Sequence, residues 1–250
     1  MTANSNFVVF TTNRSGSEWV ISTLNNFKNV TAHGELFLPR PRLLTGKWDE
    51  EFAYKRYFET KFKPWMIRPF SVFSYLNGLY SLPGKVGFKL MYKQLGLYPE
   101  ILAYLKTHDV QILHLVRSNH LDVMLSYAVK AKLGQAHLLV GQSAPDQMQV
   151  ELDANNLVKQ VAWLQKQQNM ARRVLKFFRL PYLEVVYEEM TQNQDHYFEM
   201  ISKFLSIPSD DGMPKSPLTR IRKGTHRDMI SNYDQVKQAL SGSQFASLLD

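Results

Sequence analysis

Four apolar residues, Phe7 to Phe10, open the readable pattern of the chain, followed by the polar or small run Asn13-Arg14-Ser15-Gly16-Ser17-Glu18. Val20, Leu24 and Phe27 then recur at helical spacing. The pattern predicts a strand, a tight loop and a helix. VTAHGELF, from Val30, predicts a second strand ending near His33-Gly34-Glu35, and Val86 to Met91 and Gln111 to Val116 predict two more. Pro99 opens a helix with Ile101, Leu102 and Leu105 on one face, and Ser118 or Asn119 caps another that carries Leu121, Leu125 and Ala128. Gly134 to Gln149 reads as a polar loop. Leu157, Val161, Leu164, Gln168, Ala171, Leu175 and Phe178 alternate by four and three, which predicts one long amphipathic helix whose Gln/Lys-rich face reads as solvated. Tyr182 to Val186 is a last core strand, with a helix around Tyr197–Leu205.

Strands that alternate with helices predict an α/β fold, a parallel sheet flanked by helices, over a single domain spanning 1–250. Ligands of such sheets sit at the carboxyl ends of the strands, where the Arg14 loop, Glu35 and Arg117 all fall. The segment 39–85 interrupts the alternation with an aromatic, proline-punctuated text, including Trp48, Tyr54, Tyr57, Trp65, Phe70, Tyr75 and Tyr80. It reads as a partly helical insertion covering one end of the sheet. Its aromatics are either a packed subcore or a substrate cover.

Composition narrows the partner. A formal net charge of +8 suits an anion, and the basic residues are scattered rather than massed into an arm, so nucleic acid is not indicated. Cysteine is absent, which excludes disulfides and thiolate metal sites and fits a reducing compartment. MTANSNF lacks a secretory pattern and no long apolar run exists, so the expectation is a cytoplasmic chain without a transmembrane segment. Neither the oligomeric state nor the acceptor is written in the sequence.

A strand–loop–helix is the geometry that holds a phosphate. The first N–H groups of the helix lack internal partners and its dipole adds positive charge. Gly16 permits close approach, Ser15 and Ser17 add hydroxyls, and Arg14 adds charged donors. The magnesium-nucleotide loop needs a Lys after its second Gly, which is missing here. The order T-x-x-R-S-G-S-x-W, Thr11 to Trp19, instead resembles the 5′-phosphosulfate loop of sulfotransferases that use PAPS (3′-phosphoadenylyl sulfate), in the form of the bacterial lipopolysaccharide and Nod-factor branch. Taken alone, the loop also fits an ordinary turn before a helix.

The resemblance implies a P-loop-like fold, PAPS as donor, PAP as product and no metal. It places Arg14, Ser15, Gly16, Ser17, Glu18 and Trp19 on the donor's 5′ end. LHLVRSNHLDVMLSY resembles the family's 3′-phosphate motif and implies that role for Arg117 and Ser126. Arg222, Lys223, Gly224 and Thr225 resemble the element that closes over the same phosphate, and a charge run of this kind also fits a solvated surface. Tyr187, in VVYEEM, lies either against the adenine or in the core. Glu18 departs from the family pattern, and its carboxylate is expected to turn away from the phosphate.

The implied reaction moves a sulfuryl group to a hydroxyl of a glycan, a lipid or a polyketide-like small molecule. A base must take the acceptor's proton. His33 and Glu35 stand two apart and would face one side of an extended strand. A bend at Gly34 would separate them. The resemblance favours Glu35 as base, with His33 orienting the acceptor, while an imidazole's titration near neutrality leaves His33 open as the base. The rivals are a nucleotide kinase or NTPase, and a non-catalytic basic module that binds anionic glycans.

Overall fold

The computed structural model describes residues 6–38, 54–60, 67–134, 148–208 and 224–249, together with the backbone of 138–139 and 218–219. Strands β1 (Phe7–Thr11), β2 (Val30–Glu35), β3 (Lys85–Met91), β4 (Gln111–Val116) and β6 (Tyr182–Val186) form one parallel sheet in the order β2-β3-β1-β4-β6. A two-residue antiparallel pair, β5 (Leu138–Leu139) with β7 (Leu218–Thr219), lies apart; the polar-loop reading of 134–149 did not anticipate β5.

Helix α1 (Ser17–Leu24) follows β1, and α2 (Arg68–Tyr80) lies in the aromatic segment. Helices α3 (Tyr92–Leu97) and α4 (Glu100–Thr107) follow β3, α5 (His120–Leu133) follows β4, and α6 (Ala154–Phe177) precedes β6. Helices α7 (Tyr187–Gln192) and α8 (Gln194–Leu205) follow β6, and α9 (His226–Met229) and α10 (Tyr233–Ser241) close the chain.

The sheet is covered on both faces, which is why β1 and the central strands are mostly apolar, with Thr11, Lys89 and His114 among the buried exceptions. On one face Phe7, Val9, Leu113, Leu115 and Val185 pack against Val20, Leu24, Phe198 and Ile201 of α1 and α8. On the other, Val8, Phe10, Phe88 and Ile112 meet Val72, Tyr75, Leu76 and Leu79 of α2, Ile101 and Tyr104 of α4, and Ala171 and Leu175 of α6. The part of the aromatic segment in α2 is therefore a packed subcore; 39–53 and 61–66 lie outside the described residues. A third cluster joins Leu121 and Leu125 of α5 to Leu157 and Val161 of α6 and Val236 and Leu240 of α10. Each buried residue of α6 falls on the predicted stripe, from Leu157 to Leu175.

The strand order steps from β1 to β3 and β2 on one side and to β4 and β6 on the other. The crevice of such a sheet opens at the carboxyl end of the strand where the order turns, here β1.

Candidate active site

Residues 12–16 carry the chain from β1 into α1 through two left-handed positions, Arg14 at φ 62° and Gly16 at φ 83°. Gly16 is the N-cap of α1 and no side chain caps that helix, so its first amides face outward without a side-chain acceptor. A Cβ on Gly16 would lie 2.2 Å from the Tyr187 ring, so only glycine fits. The Ser15 hydroxyl is buried, 2.6 Å from the Thr11 hydroxyl and 3.0 Å from the Thr12 carbonyl. It closes the loop on itself. Ser17 is buried at the first position of α1.

Three basic-site residues from distant parts of the sequence meet here. Arg14 Nε donates to Ser126 Oγ at 2.8 Å, which joins the loop to α5. Arg117 Nη1 donates to the Arg14 carbonyl at 3.0 Å, so the residue after β4 braces the residue after β1. Arg117 Nη2 donates to Asp122 Oδ2 at 3.0 Å, and its guanidinium lies 4.9 Å from the centre of the Tyr187 ring. Its Nε–H is buried and has no hydrogen-bond acceptor; Glu188 Oε1 stands 3.5 Å away. Glu188 also accepts from the amides of Ser118 and Asn119, which fixes the turn that presents Arg117. Tyr187 is thus held between Gly16 and Arg117, with Trp19 edge-on at 6.3 Å.

Glu18 turns away from the loop and pairs with Lys89 Nζ, as its position demanded. Lys89 also lies 3.2 Å from Glu35 Oε1, and Gln94 Nε2 donates to Glu35 Oε2 at 3.3 Å. Burial lowers the Lys89 pKa, but the two carboxylates raise it more, so it stands above its ordinary value and remains an ammonium. Sequence reading missed Lys89 and Gln94. Lys89 interrupts the apolar run of β3, and a lone Lys in a buried strand is the signal that could have found it.

His33 and Glu35 do not share a side. The register of β2 against β3 shifts between them: His33 pairs with Phe88 and Glu35 with Lys89, which are neighbours on β3 and face opposite ways. The bulge at Gly34 sends Glu35 to Lys89 and leaves His33 buried on the other face, its ring 5.8 Å from Tyr54. His33 and Glu35 therefore face opposite sides of the sheet, where an unbroken strand would have set them on one.

Toward the C-terminus, Thr225 caps α9 in a reciprocal pair with Asp228, so its hydroxyl serves the helix rather than an anion, and Gly224 takes the left-handed turn before it at φ 95°. Arg222 and Lys223 lie outside the described residues. The next residue, His226, reaches the site: its Nε2 lies 3.0 Å from Asp122 Oδ1, the carboxylate that holds Arg117.

Beside the loop, between α5 and α6, lies a cleft of about 510 Å³ lined by Met124, Tyr127, Lys159, Gln160, Trp163 and Leu164. Tyr127 is hydrogen-bonded to Asn13 and senses both Arg14 and Glu35; burial pushes its phenol pKa up. Through Tyr127 and its bond to Asn13 the cleft reaches the loop after β1.

No protein-family model matches the chain, and no curated protein is similar to it in sequence. Among solved structures, a sulfotransferase from Alicyclobacillus acidocaldarius is similar at a TM-score of 0.50 and 14% identity, over 97% of this chain and 98% of that one. A mouse sulfotransferase, SULT7A1, complexed with PAP, is similar at a TM-score of 0.47 and 14% identity, over 83% of this chain. The present chain spans 60% of the length of the mouse protein. The expected α/β architecture is observed, and it is a sulfotransferase-like fold.

Proposed function

We propose that this protein transfers the sulfuryl group of PAPS to a hydroxyl acceptor. The observation that carries the reading is the convergence of Arg14, Ser126 and Arg117 at the mouth of α1, through contacts of 2.8 and 3.0 Å. Two motifs separated by about a hundred residues of sequence thereby meet, which supports one site that takes both phosphates of the nucleotide. Arg14 and the first amides of α1 hold the 5′-phosphosulfate. Ser126 and the unsatisfied Nε–H of Arg117 take the 3′-phosphate, with Arg222, Lys223 and Gly224 closing over it. Trp19 and Tyr187 wall the nucleotide's side of the loop.

The acceptor oxygen attacks sulfur, the bond from sulfur to the 5′-phosphate oxygen breaks, and the electron pair leaves on PAP. Arg14 and the loop amides neutralise the charge that develops on that phosphate. Glu35 takes the acceptor proton, held by Lys89 and Gln94. The cleft beside Tyr127 takes the body of the acceptor, a glycan, a lipid or a polyketide-like molecule.

Calorimetric titration with PAP, and with ATP in the presence of magnesium, tests the reading. PAP is expected to bind without metal and more tightly than ATP. Tighter binding of magnesium-ATP would replace the proposal with the kinase reading. Weak binding of both, with a steep salt dependence, would replace it with a basic binding module.

A further inference from the structure

Helix α6 has two faces, and the outer one is unlike an ordinary solvated surface. Trp163, Met170 and Phe177 are 57%, 55% and 80% exposed and recur every seven residues. Four residues before each stands an exposed cation: Lys159, Lys166 and Arg173. On a helix all six fall within an arc of about 80°, with the slow drift of a seven-residue repeat. The 24 residues of α6 contain no Asp or Glu. Arg172 alone among its cations turns inward, to Glu184. The outer cations have no carboxylate partner among the described residues.

A stripe of large apolar side chains interleaved with unpaired cations and no acids needs a partner that offers both an apolar layer and negative charge. We propose that the outer face of α6 docks on an anionic lipid surface. The aromatic and thioether side chains enter the boundary of the acyl layer while Lys159, Lys166 and Arg173 meet headgroup phosphates. A second copy of the chain fits poorly, because pairing along this stripe sets cations against cations. A nucleic-acid duplex would satisfy the cations and leave the apolar members in water. The net charge of +8 adds long-range attraction of the right sign. Trp163 and Lys159 belong both to the stripe and to the cleft beside Tyr127, so docking brings that cleft to the surface.

The test is co-sedimentation of the full chain with vesicles of phosphatidylcholine alone and with phosphatidylglycerol added. Binding is expected only to the anionic vesicles. Each basic residue at such a surface contributes roughly fivefold in partitioning, so Lys166→Glu with Arg173→Glu is expected to lower it by on the order of 100-fold. Met170→Ala with Phe177→Ala is expected to lower it at least tenfold, with no change in urea midpoint, because both side chains are exposed. Failure to bind anionic vesicles overturns the proposal. So does binding that survives the charge reversal, or binding that ignores the apolar pair, which would be a diffuse charge effect. A concentration-dependent dimer in light scattering that the apolar pair abolishes would assign the stripe to a second copy instead. None of these readings depends on the nucleotide site, which is assayed separately by PAP binding.

Discussion

Gly16→Ala is the substitution whose cost the structure specifies most fully. The new methyl would lie 2.2 Å and 2.3 Å from Cε2 and Cδ2 of Tyr187, at a backbone φ of 83°. Two independent costs follow. A side chain in the left-handed region costs roughly 1–2 kcal/mol. Overlap with a ring that cannot swing aside costs about 1–3 kcal/mol. The ring is confined by Arg117 on its face and Trp19 at its edge. Together they amount to about 2–5 kcal/mol, or a fall in Tm of about 5–15 °C for a chain of this size. The two parts separate in a double-mutant cycle. Tyr187→Ala removes the overlap but not the backbone cost, so the pair should be coupled by about 1–3 kcal/mol in the favourable direction. Urea unfolding of the four proteins by near-UV circular dichroism measures the coupling. Additive costs, or a Gly16→Ala protein as stable as the parent, would refute the claim that Tyr187 is seated on Gly16.

Arg14→Ala should lower kcat by about 10²–10³-fold and PAP affinity much less, because its charge matters most as the leaving phosphate develops; an unchanged kcat with a raised KM removes it from the chemistry. Glu35→Gln should lower kcat by about 10²-fold or more with little change in PAP binding. Full turnover in that variant moves the base elsewhere. Stability should also respond to pH. Burial holds the His114 and His120 imidazoles below their ordinary 6.5, against the pull of Glu184 and Glu188. The native state then stays neutral where the unfolded chain takes up protons, so stability is complete above about pH 6.5 and falls as the pH drops below it. Glu184, held down to about 2 chiefly by its hydrogen bond from His114, loses its contribution progressively as the pH falls from the ordinary carboxylate value of about 4.5 toward 2, and so leaves the window from 7.5 to 5 to the histidines. The urea midpoint should fall across that window, and His114→Gln should flatten the slope; an unaltered slope would contradict the assignment.

The sheet was legible because each central strand is buried on both faces and so leaves a mostly apolar run, broken only by single residues such as Lys89 and His114; β4 matches its predicted bounds, and α6 its predicted stripe. Helix α2 was hidden among aromatics, although Val72, Tyr75, Leu76 and Leu79 hold helical spacing behind Pro69, a residue that favours a helix start. The anion loop was legible as a local pattern. Its bracing was not, because Arg117, Glu188 and Tyr187 meet it only after three strands have been set side by side. The separation of His33 from Glu35 had no local signal beyond Gly34, since a bulge is a property of two paired strands rather than of one.

An anion site with an acidic residue in the first turn of its helix poses an electrostatic problem, and the position of Lys89 resolves it. Left alone, Glu18 would oppose a phosphate at the amides of α1. Lys89 draws that carboxylate toward β3 and lies 3.2 Å from Glu35 as well. One ammonium therefore compensates two carboxylates, one from the loop side of the site and one from the strand that carries the proposed base. The bulge in β2 is what makes this possible, because an unbroken strand would have turned Glu35 away from Lys89. The same logic governs Arg117, which is held by Asp122 on one side while His226 holds Asp122 on the other. Lys89 and Arg117 are thus positioned by carboxylates, two of which are anchored in turn: Glu35 by Gln94 and Asp122 by His226. Such a frame fixes the donors before any ligand arrives, so binding an anion need not order them, and the charges that develop in the proposed transfer would meet groups already in place.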